Sequence, residues 1–316
     1  MKNNTVFLSI IIVSWNVIAY LREALESIYA YPPKENFEVI VVDNASSDGT
    51  PDMITEFFPN IVLIANSENV GFAKGNNIGL KSAIGKYILF LNPDTKLLPK
   101  SLDLVIKRLE EDSNIGAIGC KQFDSNNKVR NTCRQFPSLL NQFSEISGLA
   151  KIFPKSNIWG KYLGTSFDYT MAQETDQPEG SFLAIPKQIL NEVGPFSENF
   201  YMYYDEVDLC FRIKKSGRQI WYFPDIEIFH YQGKSSGPVY VHMIYESSKS
   251  LIIYYKKNKG MFKANVLKLI ISIVLASKLI FLGVIGIALY SAEERKIKRA
   301  KAIAVLRAIA GLPYDS

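Results

Sequence analysis

The stretch FLNPDTKLL, residues 90–98, contains the end of a buried strand and a polar turn directly after it. The apolar run that begins at Tyr87 is typical of a strand covered on both faces, and it stops at Asn92-Pro93-Asp94. Pro93 has no N–H for a sheet ladder, so the strand ends there. A carboxylate then lies at the sheet edge where open α/β folds bind ligands, although all three residues also favour a plain turn.

Strand-like and helical patterns alternate on both sides of this stretch. Near-continuous apolar strands separated by helices indicate a parallel sheet covered on both faces. We therefore predict an α/β fold with a Rossmann-like, mostly parallel sheet flanked by helices. The predicted strands are 8–13, 37–44, 60–66, 87–92 and 219–231. The predicted helices are 18–29, 51–58, 73–84 and 206–217, and the stretch GSFLAIPKQILNEVG, which begins at Gly180, predicts one more strand followed by one more helix.

Composition divides the chain into four predicted segments. Residues 1–120 and 179–240 carry the regular patterns of the sheet. Residues 121–178 are polar, without sustained periodicity, which predicts a variable insert or lid. Residues 241–316 are predicted to form a helical tail.

The charge and cysteine content argue against a nucleic-acid-binding protein and against a disulfide-linked secreted protein. A net charge of +5 over 316 residues, without a concentrated basic face, gives no argument for nucleic-acid binding. The cysteines Cys120, Cys133 and Cys210 form no CxxC pair, which favours a reducing compartment with buried thiols. The apolar run at residues 8–13 is short and lacks a cleavage site, so we interpret it as a strand and expect the catalytic part to lie in the cytoplasm.

The tail contains an apolar segment, residues 266–290, that is long enough to cross a bilayer. Lysine and arginine cluster on both sides of it, so a single crossing would put one basic flank outside. A helix in the membrane interface or a re-entrant hairpin keeps both flanks on the anionic cytoplasmic leaflet. We predict peripheral or monotopic association with that face, and the alternative is a helix buried in the protein core or in a dimer seam.

Polar residues come directly after three of the predicted strands. The first strand leads into VSWN rather than a glycine-rich turn, which argues against a dinucleotide cofactor. Asp43, at the end of the second strand, can accept hydrogen bonds from a nucleobase or ribose, or it can close an Asx-turn. Gly71 and Gly75 allow the backbone to approach a ligand closely, and Lys74 between them can reach a phosphate or a base. Asp94 is a reasonable ligand for Mg²⁺ or Mn²⁺.

Taken together, these motifs resemble glycosyltransferase family 2, the GT-A type of nucleotide-sugar transferase. The resemblance covers roughly residues 8–236 and is closest to the rhamnosyltransferase-like branch of bacterial surface-polysaccharide synthesis. It implies a nucleotide-sugar-binding half in residues 1–120 and an acceptor-binding, catalytic half in residues 179–240. The motifs that carry it are, in order, SIIIVSWN, VIVVDNASSDGT, NVGFAKGNNIGL, YILFLNPDTKL and FYMYYDEVDLCFRIKKSG.

The resemblance implies a metal and donor site. Asp94 occupies the position of the family's DxD metal ligand, whereas Asn92 departs from the strict motif and leaves the metal one anionic ligand fewer. His230 is the implied second ligand for Mg²⁺ or Mn²⁺, although a histidine after an apolar strand is also a common structural residue. The implied diphosphate loop contains Lys234 and Ser235. The nucleotide-binding residues are Ser14, Asn16, Asp43, Lys74 and Asn92.

The resemblance also implies a catalytic base near the head of the predicted helix 206–217. Glu206 aligns with the base, and Asp205 is the alternative, because the family usually has Asp where this chain has Glu. Two acids at a helix N-terminus also match the helix dipole without any catalytic role. Gly180 and Ser181 are the implied acceptor-site residues, and Asp208 either orients the base or caps the helix.

These assignments predict an inverting, metal-dependent glycosyltransferase. The expected donor is a dTDP- or UDP-sugar, foremost dTDP-rhamnose, and the expected acceptor is a glycan, growing or polyprenyl-linked, at the membrane surface. One alternative is a sugar nucleotidyltransferase, but the chain lacks the glycine-rich basic loop that such enzymes carry near the N-terminus. A second alternative is a catalytically silent glycan-binding protein on the same fold.

Overall fold

The computed structural model describes residues 5–156, 158–231 and 240–314, which form two compact units. The first, which we call the sheet unit, takes its described residues from Met1–Phe136, Phe167–Glu198 and Glu206–Ser235. The second, which we call the helical unit, takes its described residues from Pro137–Ser166, Asn199–Asp205 and Ser236–Ser316. The predicted segment boundaries at residues 120, 178 and 240 differ from this division, since residues 167–178 belong to the sheet unit.

The first third of the chain alternates strands and helices as predicted. Each predicted element is present, and its ends lie within two residues of the predicted ends. The structure adds a short strand, a helix and a long strand after Asp94. The elements are β1 Leu8–Ser14, α1 Ile18–Ala30, β2 Phe37–Asp43, α2 Thr50–Phe57, β3 Val62–Ala65, α3 Phe72–Ser82, β4 Tyr87–Leu91, β5 Thr95–Leu97, α4 Ser101–Glu111 and β6 Ile115–Phe123.

The remainder of the chain completes the sheet and then becomes helical. The middle elements are β7 Cys133–Arg134, α5 Leu139–Ser147, α6 Leu149–Ile152, a 3-10 turn at Lys161–Leu163, β8 Gln173–Glu174, β9 Gln177–Pro178, β10 Phe182–Pro186, α7 Lys187–Val193, α8 Asp205–Lys215 and β11 Gln219–His230. The last elements are α9 Tyr240–Asn258, α10 Met261–Val284, α11 Gly286–Leu289 and α12 Ala292–Ala310.

The central sheet is mixed but mostly parallel. Its strands lie in the order β3-β2-β1-β4-β10-β6-β11-β5, and β8 adds to β11. The pairs β2–β3, β1–β2, β1–β4 and β6–β11 are parallel, whereas β10 runs antiparallel between β4 and β6. The carboxyl ends of β1, β2, β4 and β11 therefore lie at one edge of the sheet. This confirms the predicted fold class.

Apolar side chains cover both faces of the sheet. Along β1, Leu8, Ile10 and Ile12 enter one buried cluster, and Ile11 and Val13 enter another on the opposite face. Successive strand residues point to opposite faces, so a strand that is apolar at every position needs cover on both.

The glycines of α3 bring this helix close to β1. A Cβ on Gly79 would lie 2.6 Å from Ile11 Cγ2, and one on Gly75 would lie 2.9 Å from Val13 Cγ1. Both distances are shorter than carbon atoms tolerate. Gly75, predicted to allow close approach of a ligand, therefore has a packing role against Val13.

In the helical unit, α10 packs against α5, α9 and α12. Its buried residues recur every three, four or seven positions and form one face. By length and composition, α10 is the one helix within the described residues that is apolar and long enough to cross a membrane. It ends at Val284, before the end of the predicted apolar segment.

Candidate active site

Two buried polar groups face each other across the ends of β1 and β2. Ser14 and Asp43 are paired in the parallel register, and both are almost fully buried. Asp43 Oδ2 accepts a hydrogen bond of 2.9 Å from the backbone N–H of Ser46, as in an Asx-turn. Asp43 Oδ1 and Ser14 Oγ, in contrast, have no hydrogen-bond partner within the described part of the chain. Asp43 thus closes a turn with one oxygen, and its other oxygen is an exception to the rule that buried polar atoms are paired. Nucleotide binding by Asp43 and Ser14 stays a prediction.

Asn16 joins the loops that come after β1 and β2. Its backbone is left-handed, with φ of 52°, and its Oδ1 accepts a 2.8 Å hydrogen bond from the N–H of Ser47. Its own N–H donates to Ser46 Oγ at 2.9 Å. These bonds give Asn16 a structural role, and nucleotide binding by Asn16 stays a prediction.

Lys74 lies exposed on the first turn of α3. The helix begins after Gly71, whose φ of 83° favours glycine. Asn44 holds this start close to the end of β2, because its side-chain amide donates to the Gly71 carbonyl oxygen at 3.2 Å. Lys74 therefore belongs to the helix start that lies close to the end of β2, where Asp43 is. Its contact with a nucleotide-sugar donor stays a prediction.

Asp94 and His230 meet at the same edge of the sheet. Asp94 lies in the turn between β4 and β5, and His230 ends β11, which pairs with β5. Asp94 Oδ1 lies 3.2 Å from His230 Nε2, and both side chains are buried. The backbone N–H of Tyr231 donates to the Asp94 carbonyl oxygen at 3.0 Å, which fixes the turn against β11.

The other ring nitrogen of His230 faces polar residues that the sequence does not single out. His230 Nδ1 lies 3.0 Å from Gln122 Oε1 and is also contacted by the guanidinium of Arg130. Arg130 in turn forms an ion pair of 3.0 Å with Glu179. Because a guanidinium only donates hydrogen bonds, the Arg130 contact requires the tautomer of His230 in which Nδ1 carries no hydrogen, and in that tautomer Nε2–H points at Asp94. In the opposite tautomer, Nδ1–H donates to Gln122 Oε1 and the Nε2 lone pair is free. His230 therefore has hydrogen-bonded partners in either tautomer.

The Asp94–His230 pair fits a divalent cation that also binds the substrate. One carboxylate oxygen and one imidazole nitrogen suit Mg²⁺ or Mn²⁺ when phosphate oxygens complete the coordination. The Gln122 contact supplies the outer hydrogen bond that a ligating histidine usually has. No group of three His, Cys, Asp or Glu side chains suited to a metal is found where the structure describes the chain. A cation held by Asp94 and His230 would therefore need further ligands from a bound molecule.

The cysteines take no part in the site. All three are free and buried, as the sequence predicts. Burial raises the pKa of Cys133 to about 12, and it also raises the pKa of the Cys120 and Cys210 thiols. They remain protonated at neutral pH.

Gly180 and Ser181 connect the metal-ligand pair with α8. Ser181 is buried, its Oγ donates to Gln122 Oε1 at 3.0 Å, and its carbonyl oxygen accepts from the Asn92 N–H at 2.9 Å. A Cβ on Gly180 would lie 3.1 Å from Glu206 Cβ. Gly180 thus makes room for the Glu206 side chain, and the contact of either residue with an acceptor stays a prediction.

The acids at the start of α8 differ in exposure. Asp205 is buried at 2% exposure, whereas Glu206 is half-buried. The preceding residues Tyr203 and Tyr204 both adopt left-handed backbone conformations, with φ of 64° and 61°. Two non-glycine residues in this region are strained, and such strain is common at functional sites.

Asp208 stabilises the position of α8 through Arg212. Its Oδ2 forms a 2.9 Å ion pair with Arg212 one turn later. The Arg212 guanidinium also donates to the carbonyl oxygens of Val193, Gly194 and Pro195. These bonds anchor α8 to the chain after α7. The predicted diphosphate residues Lys234 and Ser235 lie outside the described residues.

Comparisons with known proteins agree with this architecture. The family model of glycosyl transferase family 2 matches residues 9–170, more than half of the chain. The chain belongs to this family. Its mostly parallel sheet and its structural neighbours confirm the GT-A type of fold.

Two characterised relatives are rhamnosyltransferases. The N-acetylglucosaminyl-diphospho-decaprenol L-rhamnosyltransferase of Mycobacterium tuberculosis is 25% identical over 245 residues, which cover 73% of this chain and 78% of the relative. The rhamnosyltransferase WbbL of Escherichia coli K12 is 29% identical over 233 residues, which cover 70% of this chain and 82% of the relative. These similarities support the predicted rhamnosyltransferase-like branch.

A solved structure shows the same fold. The mannosyltransferase PcManGT from Pyrobaculum calidifontis, in complex with GDP-Man and Mn²⁺, has a TM-score of 0.57 and 19% sequence identity. The match covers 96% of this chain and 86% of the mannosyltransferase.

Proposed function

We propose that this glycosyltransferase transfers a sugar, with inversion, from a dTDP- or UDP-sugar to a growing or polyprenyl-linked glycan, with dTDP-rhamnose as the foremost donor. The observation that carries the proposal is the sheet edge, where the unpartnered Asp43 and Ser14 oxygens accompany the Asp94–His230 pair. The names of the mycobacterial and E. coli relatives support rhamnose as the sugar, and that of the mycobacterial relative supports a lipid-linked acceptor.

In this proposal, Asp43 and Ser14 bind the nucleoside. Uracil and thymine both offer an imide N–H, and a carboxylate oxygen without a partner accepts it with a charge-assisted hydrogen bond. Ser14 Oγ can accept from or donate to the same base or the ribose. Lys74, exposed on α3, places a positive charge for the phosphates.

Asp94 and His230 would hold a divalent cation, Mg²⁺ or Mn²⁺. When bound there, the cation offsets negative charge on the diphosphate leaving group. Asn92 lies in the same turn as Asp94, and its N–H donates to the Ser181 carbonyl oxygen. We assign its side chain to the ribose.

Glu206 is the proposed base. It needs contact with an acceptor hydroxyl, and its partial exposure allows that contact better than the burial of Asp205 does. The carboxylate accepts the hydroxyl proton while the oxygen attacks the anomeric carbon, and the bond to the diphosphate breaks on the opposite side. Configuration at that carbon is therefore inverted.

The experiment that tests the function offers purified protein a panel of nucleotide sugars and a polyprenyl-diphosphate-linked N-acetylglucosamine acceptor. We expect nucleoside diphosphate release and a glycosylated lipid with dTDP-rhamnose, and NMR of the product should show the inverted anomer. Release of pyrophosphate from a nucleoside triphosphate and a sugar 1-phosphate, in place of sugar transfer, would indicate a nucleotidyltransferase. Binding of the acceptor glycan without any product would indicate a catalytically silent glycan-binding protein.

Metal dependence has a separate test. We expect EDTA to remove the metal-dependent part of the thermal stabilisation by dTDP with Mn²⁺, and Asp94→Asn to lose the same part. Saturation at a hundred times Kd contributes about 2.7 kcal/mol, which is readily measured. The matched control is Asp52→Asn, an exposed residue of α2 outside the site. Equal stabilisation with and without metal would contradict the assignment.

We also place the enzyme at the cytoplasmic face of the cell membrane. A polyprenyl-linked acceptor resides in the bilayer, and anchoring the enzyme there raises the effective acceptor concentration. The apolar helix α10 and the basic segments on both sides of it support this location.

A further inference from the structure

Helix α10 has two apolar faces, and one of them is buried against the neighbouring helices α5, α9 and α12. The covered face contains Ala264, Leu267, Ile271, Leu275 and Leu282. At about 100° per residue, the residues on the opposite side form a second stripe without any charge. This stripe, which we call the apolar stripe, consists of Phe262, Leu269, Ile273, Ala276, Ile280 and Val284.

The apolar stripe is well exposed within the helical unit. Apart from Ala276, each of its side chains is between 60% and 79% exposed. From Phe262 to Val284 the stripe extends for about 33 Å along the helix, at the usual rise per residue. A contiguous exposed apolar surface of this length marks an interaction site rather than an ordinary protein surface.

We infer that the apolar stripe binds an anionic lipid surface, with α10 lying in the plane of the membrane interface. This deepens the proposed membrane association and does not depend on the sugar that is transferred. The helix thus neither crosses the bilayer nor serves as a core helix.

The packing of α10 argues against a crossing. Its covered face contacts α5, α9 and α12, so a spanning α10 would have to carry these neighbours into the bilayer or lose them. The sequence of α12, AEERKIKRAKAIAVLRAIA, contains eight charged residues, and charged side chains are costly inside a bilayer. A helix embedded on one side only keeps both its protein contacts and its lipid contacts.

Charge identifies the occupant as lipid rather than a second copy of the chain. Exposed basic residues lie before α10 and after it, and Lys263 and Lys268 lie to either side of the stripe. In a symmetric dimer formed through α10, basic ends would face basic ends in either orientation, which is unfavourable. An anionic lipid surface attracts all of these groups.

The first experiment measures binding of the full chain to vesicles. Vesicles of phosphatidylglycerol and phosphatidylcholine in equal parts should bind the protein at least tenfold more tightly than vesicles of phosphatidylcholine alone. The double substitution Ile273→Glu and Ile280→Glu should weaken binding to the anionic vesicles at least tenfold. Ile303→Glu on α12 is the matched control, since Ile303 is 51% exposed and lies outside the stripe.

Controls separate binding from folding and from dimerisation. A second pair, Ile273→Ser and Ile280→Ser, should give a smaller loss, and thermal unfolding shows whether each variant is folded. Equal vesicle binding by wild type and both double variants would overturn the inference. So would a wild-type dimer that the glutamate substitutions dissociate and that does not bind vesicles. Sugar transfer to a soluble acceptor tests the proposed function independently of these results.

The second experiment measures depth. Single cysteines replacing Phe262, Ile273 and Val284 can carry a fluorescent label, because the native cysteines are buried. A helix in the interface predicts equal, shallow quenching at all three positions by lipids that carry quenchers at known depths. Deep quenching at position 273, with shallow quenching at 262 and 284, would show a spanning helix and overturn the inference.

Discussion

At the residue scale, Asp43 shows how one side chain combines a structural and a binding role. One of its oxygens closes the turn after β2, and the other is buried without a partner in the described structure. Burying a carboxylate oxygen in this way is unfavourable, so a ligand that donates to it recovers free energy on binding.

We therefore predict that Asp43→Asn weakens binding of dTDP or UDP about tenfold to a hundredfold, which corresponds to the loss of about 1.5–3 kcal/mol from a charge-assisted hydrogen bond. Isothermal titration calorimetry measures this directly. Asp52→Asn, on the exposed side of α2, should bind like the wild type. Unchanged affinity in Asp43→Asn would remove this residue from the donor site.

A second residue-scale prediction concerns Asp48, which holds the start of two helices. Its Oδ2 accepts from the Ile18 N–H at 2.9 Å, and its Oδ1 accepts from Thr50. Burial raises its pKa, but the hydrogen bonds from Thr50 and Ile18 outweigh burial and lower the pKa below its usual value. The ionised form is thus stabilised by folding, and its contribution is present above the unfolded pKa and lost as pH falls through the folded pKa.

Asp48→Ala should accordingly lower the free energy of unfolding by about 1 kcal/mol at neutral pH. The difference from the wild type should shrink as the pH falls below about 4, the pKa of an unfolded aspartate. Urea unfolding across pH measures both effects, with Asp52→Ala as the exposed control. A difference that grows on acidification would contradict the assignment.

At the scale of elements, the glycines of α3 set the distance between this helix and the sheet. Gly79→Ala would place its Cβ 2.6 Å from Ile11 Cγ2 in a fully buried cluster. Overpacking costs about 1–3 kcal/mol and outweighs the gain of about 1 kcal/mol from alanine in a helix. We predict a net loss of about 1 kcal/mol in the free energy of unfolding.

The control for this substitution is Gly283→Ala in α10, where an added Cβ meets nothing within 4 Å. It should leave the free energy of unfolding unchanged or raise it by up to about 1 kcal/mol. Chemical denaturation of both variants measures the two changes. A stabilised Gly79→Ala protein would show that α3 can move away from β1.

Elements are predictable from the sequence where their patterns are regular. Apolar runs and turn residues predict the strands and helices up to β4, and later β10, α7, α8 and β11. They do not predict strand β6, because Gly116 and Gly119 interrupt its apolar pattern. Gly119 is needed for packing, since a Cβ there would lie 2.3 Å from Pro178 Cβ. Helix α4 is also absent from the prediction, although Leu102, Val105 and Leu109 have helical spacing.

The candidate site is predictable in part for a related reason. Asp43, Asp94 and His230 each lie at or just after the end of a recognisable strand, so sheet topology brings them to one edge. Gln122 lies on the unpredicted β6, and Arg130 lies in the polar segment without periodicity. Their contacts with His230 arise from tertiary structure, which no local pattern in the sequence encodes.

At the scale of the whole molecule, the described chain combines a transferase sheet unit with a helical unit built around α10. Because α10 packs against α9 and α12, removing residues after 260 would expose the apolar face of α9 as well. We predict that such a truncated chain has a lower melting temperature than the wild type, whereas Ile273→Glu with Ile280→Glu melts near the wild-type value. Differential scanning calorimetry of both proteins checks this. Equal melting of truncated and full-length protein would contradict the packing of the helical unit.

The most direct test of the central claim is the rate of sugar transfer by Glu206→Gln beside Asp205→Asn. If Glu206 is the base, Glu206→Gln lowers kcat about a hundredfold to ten-thousandfold and leaves donor affinity unchanged, because the amide keeps the shape but does not take up a proton. Asp205→Asn should retain more activity than Glu206→Gln. A Glu206→Gln protein that transfers sugar at the wild-type rate would contradict the account.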